Sequence, residues 1–223
     1  MNTLLVNAIL EAIMSIFTGP LIPVIMLGMM APSKHPVRTG AGIAAGGILT
    51  VAVFVLGLLA IMMLSGYTGG GDLGYIVYLV LGIVFLLLGI RTVISSPEEG
   101  GNEATVAKLT KLSEGGFKGL ILVGIVGALA NSDQLVVLVG SVHDIDVSGA
   151  TLSVQVITAL LVIVIATFLW WIVPLVVAIG GEGAEKMLAK LNVWLSKNMR
   201  MIEIVVFFVI GVYFMYRALT GLF

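Results

Sequence analysis

The stretch Phe117–Val142, FKGLILVGIVGALANSDQLVVLVGSV, decides the fold. It is long enough to cross a bilayer core about 30 Å thick, and its middle is interrupted by one polar cluster, Asn131, Ser132, Asp133 and Gln134. Five further apolar stretches flank it: Leu4–Met30, Thr39–Leu64, Tyr75–Ile94, Thr151–Ile179 and Met201–Leu222. The whole chain fits this reading. Of 223 residues, 60% are hydrophobic and 10% charged, with mean hydropathy +1.19, whereas a soluble domain is about 25% charged. A soluble enzyme, a secreted disulfide scaffold and a disordered chain are excluded. The formal net charge of -1 offers no basic surplus for nucleic acid. Zero cysteines exclude thiol redox chemistry, iron–sulfur clusters and cysteine zinc sites, and His35 and His143 are too few for a His-rich metal site. No cofactor and no metal are expected. The N-terminus lacks a basic region and a small-residue cleavage site, so a removable signal peptide is not expected either.

The connections between the six stretches are short except Ser95–Gly116 and Gly180–Arg200. Basic residues favour cytoplasmic loops. Lys34 and Arg38 fall in the first connection. Arg91, Lys108, Lys111 and Lys118 fall in or beside the third, and Lys186, Lys190, Lys197 and Arg200 in the fifth. Ten of the 11 basic residues thus share one side, which leaves Arg217 on the other with Asp72, Asp144 and Asp146. Both termini are expected outside.

The two halves match in layout. Each opens with a long helix interrupted near its middle, by Gly19, Pro20 and Pro23 in the first half and by Asn131–Gln134 in the second. Each closes with an aromatic-containing helix bearing a late arginine, Arg91 or Arg217. Three helices per half is an odd number, so the halves run in opposite senses, as in the inverted repeats of secondary transporters. The expected organisation is a first repeat over 1–95, a cytoplasmic loop over 96–116 and a second repeat over 117–223. At about 1.5 Å per residue, Gly19 and Asn131 each lie roughly 20 Å into their helices, near or just past the bilayer middle. A proline frees a carbonyl, and in lipid such a carbonyl must face protein or a wet cavity. Gly19, Pro20, Pro23, Asn131, Ser132, Asp133 and Gln134 are therefore the candidate pathway for a substrate or ion, against the plainer alternative of two kinks in a packed bundle.

With Glu203 counted to the cytoplasmic end of the last stretch, Glu11 and Asp133 are the two acidic residues read as lying inside apolar spans. Intramembrane carboxyls are costly and usually face the bundle interior. One that loads and sheds a proton could couple transport to a proton gradient, so both are candidates, with Asp133 preferred; Glu11 is shallower and within reach of headgroup water. A structural hydrogen-bonding role for Asp133 weighs equally. Gly42 and Gly46 form a small-xxx-small pair suited to close helix packing or a homodimer face. Trp170 and Trp171 read as interfacial anchors, with a kink at Pro174. Ala184–Lys197 is amphipathic and is expected to lie on the cytoplasmic leaflet, with Lys186, Lys190, Trp194 and Lys197 at the membrane surface. His143 with Asp144 and Asp146 reads as a solvated acidic outer loop. No nucleophile–base arrangement is visible, so the chain is not read as an enzyme.

Thr18-Gly19-Pro20-Leu21-Ile22-Pro23, Ala31-Pro32-Ser33-Lys34 and the glycine-rich start of the second helix resemble the first half of the LysE exporter superfamily. Gly115–Gln134 resembles its fourth helix, where many members carry an Asn-Pro-Lys-Asn-like motif. Gly180-Gly181-Glu182-Gly183-Ala184-Glu185-Lys186 through Trp194-Leu195, with Gly211 beyond, resembles its GAP branch, the peptidoglycolipid and sulfolipid-addressing proteins of actinobacteria. The resemblance covers nearly the whole chain. It implies a six-helix exporter of the bacterial cytoplasmic membrane with lipid or glycolipid cargo, breaking at Gly19, Pro20 and Pro23 in helix 1 and at Asn131 in helix 4. Ser132, Asp133 and Gln134 stand where the motif has Pro-Lys-Asn, so a cationic position is anionic here.

The leading expectation is a secondary exporter or flippase working by alternating access, with membrane lipids around it and a lipid or small molecule as cargo. The alternatives are a small-solute exporter, for an amino acid or metal ion, and a non-transporting accessory subunit of a glycolipid export machine.

Overall fold

The computed structural model describes residues 2–18, 21–65, 72–95 and 109–222. Among the described residues, helices fill most of each apolar stretch. Helix α1 spans Thr3–Phe17, α2 Leu21–Met30, α3 Pro36–Leu64, α4 Asp72–Ile94, α5 Gly116–Ala130, α6 Ser132–Asp146, α7 Leu152–Ala166 and α8 Phe168–Leu222. Among the described residues, Pro36–Leu64, Tyr75–Ile94 and Lys197–Thr220 are long and apolar enough to cross a membrane. Two bent pairs, α5 with α6 and α7 with Phe168–Gly181, raise the number to as many as five spans. The outward faces carry Val53, Ile61, Leu160, Val164 and Val209, all exposed. A soluble domain would not leave so many such residues facing out along its helices; this is a membrane protein.

Local chemistry sets the helix ends. Asn2 caps α1 by accepting from the Leu4 amide at 3.0 Å, and its own amide donates to the Ser148 carbonyl at 2.5 Å. Pro36 lies in the first turn of α3, where its missing N–H costs nothing. Arg200 donates from Nε to the Thr92 carbonyl at 3.2 Å and from Nη2 to the Val93 and Ser95 carbonyls at 3.0 and 2.6 Å. It closes the last turn of α4, whose carbonyls have no partner within the helix.

Two bends shape the bundle. Between α5 and α6 the axis turns by 71° at Asn131, which has left helical geometry (φ -85°, ψ 52°). Between α7 and α8 it turns by 55° at Thr167. The sharp bend of this span thus precedes Pro174, which lies inside the helix of α8. The Thr167 hydroxyl donates to the Ile163 carbonyl at 2.7 Å, a back-bond that bends helices. Helix α8 is itself interrupted at Gly181, where φ of 51° and ψ of -141° suit only glycine. This divides it into a first limb, Phe168–Gly181, and a second limb, 182–222. The amphipathic stretch is therefore no separate surface helix, because it continues unbroken into the last span. No glycine or proline stands between Ala184 and Gly211 to stop it.

Each of three hydrophobic cores mixes the two halves of the chain. The first joins α2, the start of α3, α5 and the first limb of α8 around Met26, Met30, Ile43, Val123 and Trp170. The second joins α1, the end of α3, α6 and α7 around Ala8, Val51, Leu138 and Val162. The third joins α4, α6 and the second limb around Phe85, Val137 and Phe214. Lipid tails are as apolar as leucine, so contact between helices depends on close packing. Gly46 and Gly124 provide it reciprocally: a Cβ on Gly46 would overlap the Ile121 carbonyl of α5, and one on Gly124 the Ile43 carbonyl of α3. Gly42 lies against Leu120 in the same seam, so Gly42 and Gly46 are buried within the chain and form no dimer face. Trp170 is also internal, 2% exposed and stacked over Gly47, and so is not an interfacial anchor.

Candidate functional site

The polar cluster of the opening stretch sits at the α5–α6 bend and has a specific partner. Asn131 Nδ2 donates to Gln134 Oε1 at 3.1 Å, and Gln134 Nε2 donates to the Ala166 carbonyl at 2.6 Å. Ala166 is the last residue of α7 before its bend, where the Trp170 amide bonds to Thr167 and not to Ala166. Gln134, 1% exposed, thus fills a backbone acceptor left by one bend with an amide presented by the other. Ser132 is exposed and Asp133 half-buried.

The second polar cluster lies at the other end of α6. Arg217 of α8 grips Asp144 with two parallel hydrogen bonds, Nη1 to Oδ2 and Nη2 to Oδ1, each 2.9 Å. Its Nη1 also donates to Glu11 Oε1 at 3.2 Å and to the Tyr213 hydroxyl at 3.2 Å. Tyr213 in turn donates to Glu11 Oε1 at 3.4 Å. The Tyr78 hydroxyl of α4 donates to Asp144 Oδ1 and lies 3.1 Å from His143 Nδ1, which is satisfied when His143 carries its proton on Nδ1. The guanidinium carbon sits 4.4 Å from the centre of the Tyr78 ring, in reach of a cation–π contact. Glu11 and Asp144 are fully buried, and the Arg217 side chain is 14% exposed. One cation is therefore shared by two carboxylates, and four helices, α1, α4, α6 and α8, are tied by it. The fork geometry suits arginine, since only a planar guanidinium donates in parallel to one carboxylate while reaching a second.

Several sequence expectations change here. His143 and Asp144 belong to no solvated outer loop: they occupy the last turns of α6, 2% and 0% exposed. Glu11 does not reach headgroup water, because it is enclosed against Arg217. Gly19 and Pro20 lie outside the described residues, and Pro23 falls within the helical backbone of α2. Tyr78, Tyr213 and Arg217 were not singled out as site residues. One signal could have found them. Arg217 is the lone base on its side, Glu11 lies about as far from the start of the first span as Arg217 does from the end of the last, and a buried acid demands a base at its own depth.

Lys186, Lys190, Trp194 and Lys197 are all exposed on the second limb of α8. Met187, Leu191 and Trp194 make an outward apolar stripe beside the lysines, while Ala184 and Leu188 face inward. Near this limb an apolar recess is lined by Leu27, Met30, Ala31, Pro36, Val177 and Ala189. Among the described residues no group of three or more His, Asp and Glu has the arrangement to hold a metal ion.

The family model described as Sap, sulfolipid-1-addressing protein, matches residues 11–220. No curated protein and no solved structure matches the chain.

Proposed function

Because the chain belongs to the sulfolipid-1-addressing protein family, a membership that suggests a sulfolipid-addressing role in the membrane, we propose that it is an exporter or flippase of the cytoplasmic membrane that moves a lipid or glycolipid by alternating access. The observation that carries the reading is the pair of bent spans joined by Gln134 on the Ala166 carbonyl. Broken helices at membrane depth are a recurring device of transporters, because irregular backbone survives there only inside protein or against a wet cavity. The apolar recess beside α2 and α8 suits hydrocarbon better than a hydrophilic solute.

In this reading α1 with α2 forms a sixth span, the halves are inverted repeats of one another, and both termini face outward. The packing favours it: α3 lies on α5 and α6, while α7 and the first limb of α8 lie on α1 and α2, as a two-fold exchange of halves requires. The apolar stripe and lysines of the second limb then stand at the inner-leaflet end of the last span, near anionic headgroups. A Thr151→Cys protein labelled by an impermeant thiol reagent in intact cells supports the orientation; labelling only after lysis overturns it.

The function is tested with purified protein in phospholipid vesicles carrying a fluorescent sulfated glycolipid, whose exposure on each leaflet is followed by quenching. Faster exchange between leaflets than in protein-free vesicles is the expected result. No acceleration, with movement restored by an added partner, would instead identify an accessory subunit. Export of amino acids or metal ions with the lipid stationary would identify a small-solute exporter.

A further inference from the structure

The Arg217 cluster is unbalanced when both carboxylates are ionised, because Glu11 and Asp144 face a single guanidinium. Among the described residues, the groups around Glu11 supply no further fixed cation. From α4 comes the Tyr78 hydroxyl, from α6 His143 and Asp144, and from α8 Tyr213 and Arg217. Helix α7, which also packs on α1, carries no charged residue. A buried unbalanced charge in an apolar interior is far less favourable than a neutral group.

The two carboxylates are not equivalent. Both oxygens of Asp144 take hydrogen bonds from Arg217, and Oδ1 takes another from Tyr78. This is the environment of an ionised carboxylate. Glu11 has two longer bonds on Oε1, and Oε2 is buried without a partner among the described residues. Oε2 faces Gly140 so closely that a Cβ there would come within 2.6 Å of it. An oxygen in that position is tolerated far better as part of a neutral carboxyl than as half of a carboxylate.

We propose that Glu11 is the exchangeable proton site of this protein, with the proton on Oε2, and that Asp144 and Arg217 form the ion pair that positions it. Release of the proton leaves the cluster with one excess negative charge, which only access to water relieves. Proton exchange therefore requires α1 to part from α6 and α8, and this ties the proton to a change of shape. Asp133, half-buried and 11 residues earlier on α6, is not needed for this step. Only the coupling consequence rests on the exporter reading; the proton site itself does not.

Two measurements on the full chain in lipid nanodiscs test it without any cargo. Dicyclohexylcarbodiimide reacts with protonated carboxyls in apolar surroundings. Mass spectrometry should find the adduct on Glu11, decreasing as pH rises, with Asp144 unmodified. Adduct on Asp144 with Glu11 untouched overturns the assignment. In infrared spectra the protonated-carboxyl band should be lost in Glu11→Gln and kept in Asp133→Asn; an undiminished band in Glu11→Gln also overturns it. In vesicles with an imposed pH gradient, Glu11→Gln should lose the response of lipid movement to the gradient. Gradient-driven movement that survives this change removes Glu11 from coupling and leaves the exporter reading standing.

Discussion

The buried polar side chains at the start of α6 are amides, Asn131 and Gln134, with Asp133 only half-buried beside them, and those at its end are titratable. Asn131 bonds to Gln134, and Gln134 in turn bonds to the backbone carbonyl of Ala166. About three turns later His143 and Asp144 bond to side chains of α4 and α8, and through Arg217 to α1. One end of the helix maintains the path of the chain, and the other gathers titratable groups from distant segments. A polar residue inside a membrane can thus serve the backbone or serve chemistry, and its partner distinguishes the two roles.

Substitutions at the two ends should separate in size and in kind. Arg217→Ala removes the cation and leaves Asp144 and Glu11 buried side by side without it. With Glu11 protonated, the charge left unpaired is that of Asp144, and the change should cost about 3–5 kcal/mol of stability in detergent unfolding; wild-type stability would mean that the cluster is open to water. Gly140→Ala places a methyl against Glu11 Oε2 and within 3.0 Å of Phe214. It should cost about 1–3 kcal/mol by overpacking. Gly127→Ala, near the bend, meets only the Trp170 ring at 3.5 Å, an ordinary contact, and should be neutral or slightly stabilising. Equal losses at the two glycines would break the contrast. Gln134→Ala leaves the Ala166 carbonyl unpaired and should cost about 1–2 kcal/mol, with faster amide exchange around Thr167 and no change in proton loading. Asp133→Asn, at a half-buried position, should shift stability by less than about 0.5 kcal/mol and leave gradient-driven transport intact.

The helical stretches were legible because hydropathy over some 20 residues integrates many weak preferences. The bend at Asn131 was legible because four polar residues interrupt such a run. The bend at Thr167 was not, since one threonine inside Ile163–Trp170 carries no warning and Pro174 drew attention further along. The charged cluster was hidden for a related reason. His143, Asp144 and Asp146 look like a loop in a window, and only their partners, 65 to 73 residues away in the chain, show that two of them are enclosed. Gly42 and Gly46 were visible as a close-packing motif, yet the sequence did not say which helix approaches them. The approach is made by α5, through Gly124 and Leu120.

That approach has a mechanical consequence. Where Gly46 and Gly124 meet, main chain rests on main chain, with no side chains between them to act as rollers. Sliding of α3 along α5 would drive a carbonyl into a Cα at once, whereas rotation about the crossing leaves the contact distance nearly unchanged. The seam is thus a pivot shared by the two halves of the chain. Rocking is the relative movement it permits at low cost, and a bulkier residue at either glycine would seize it.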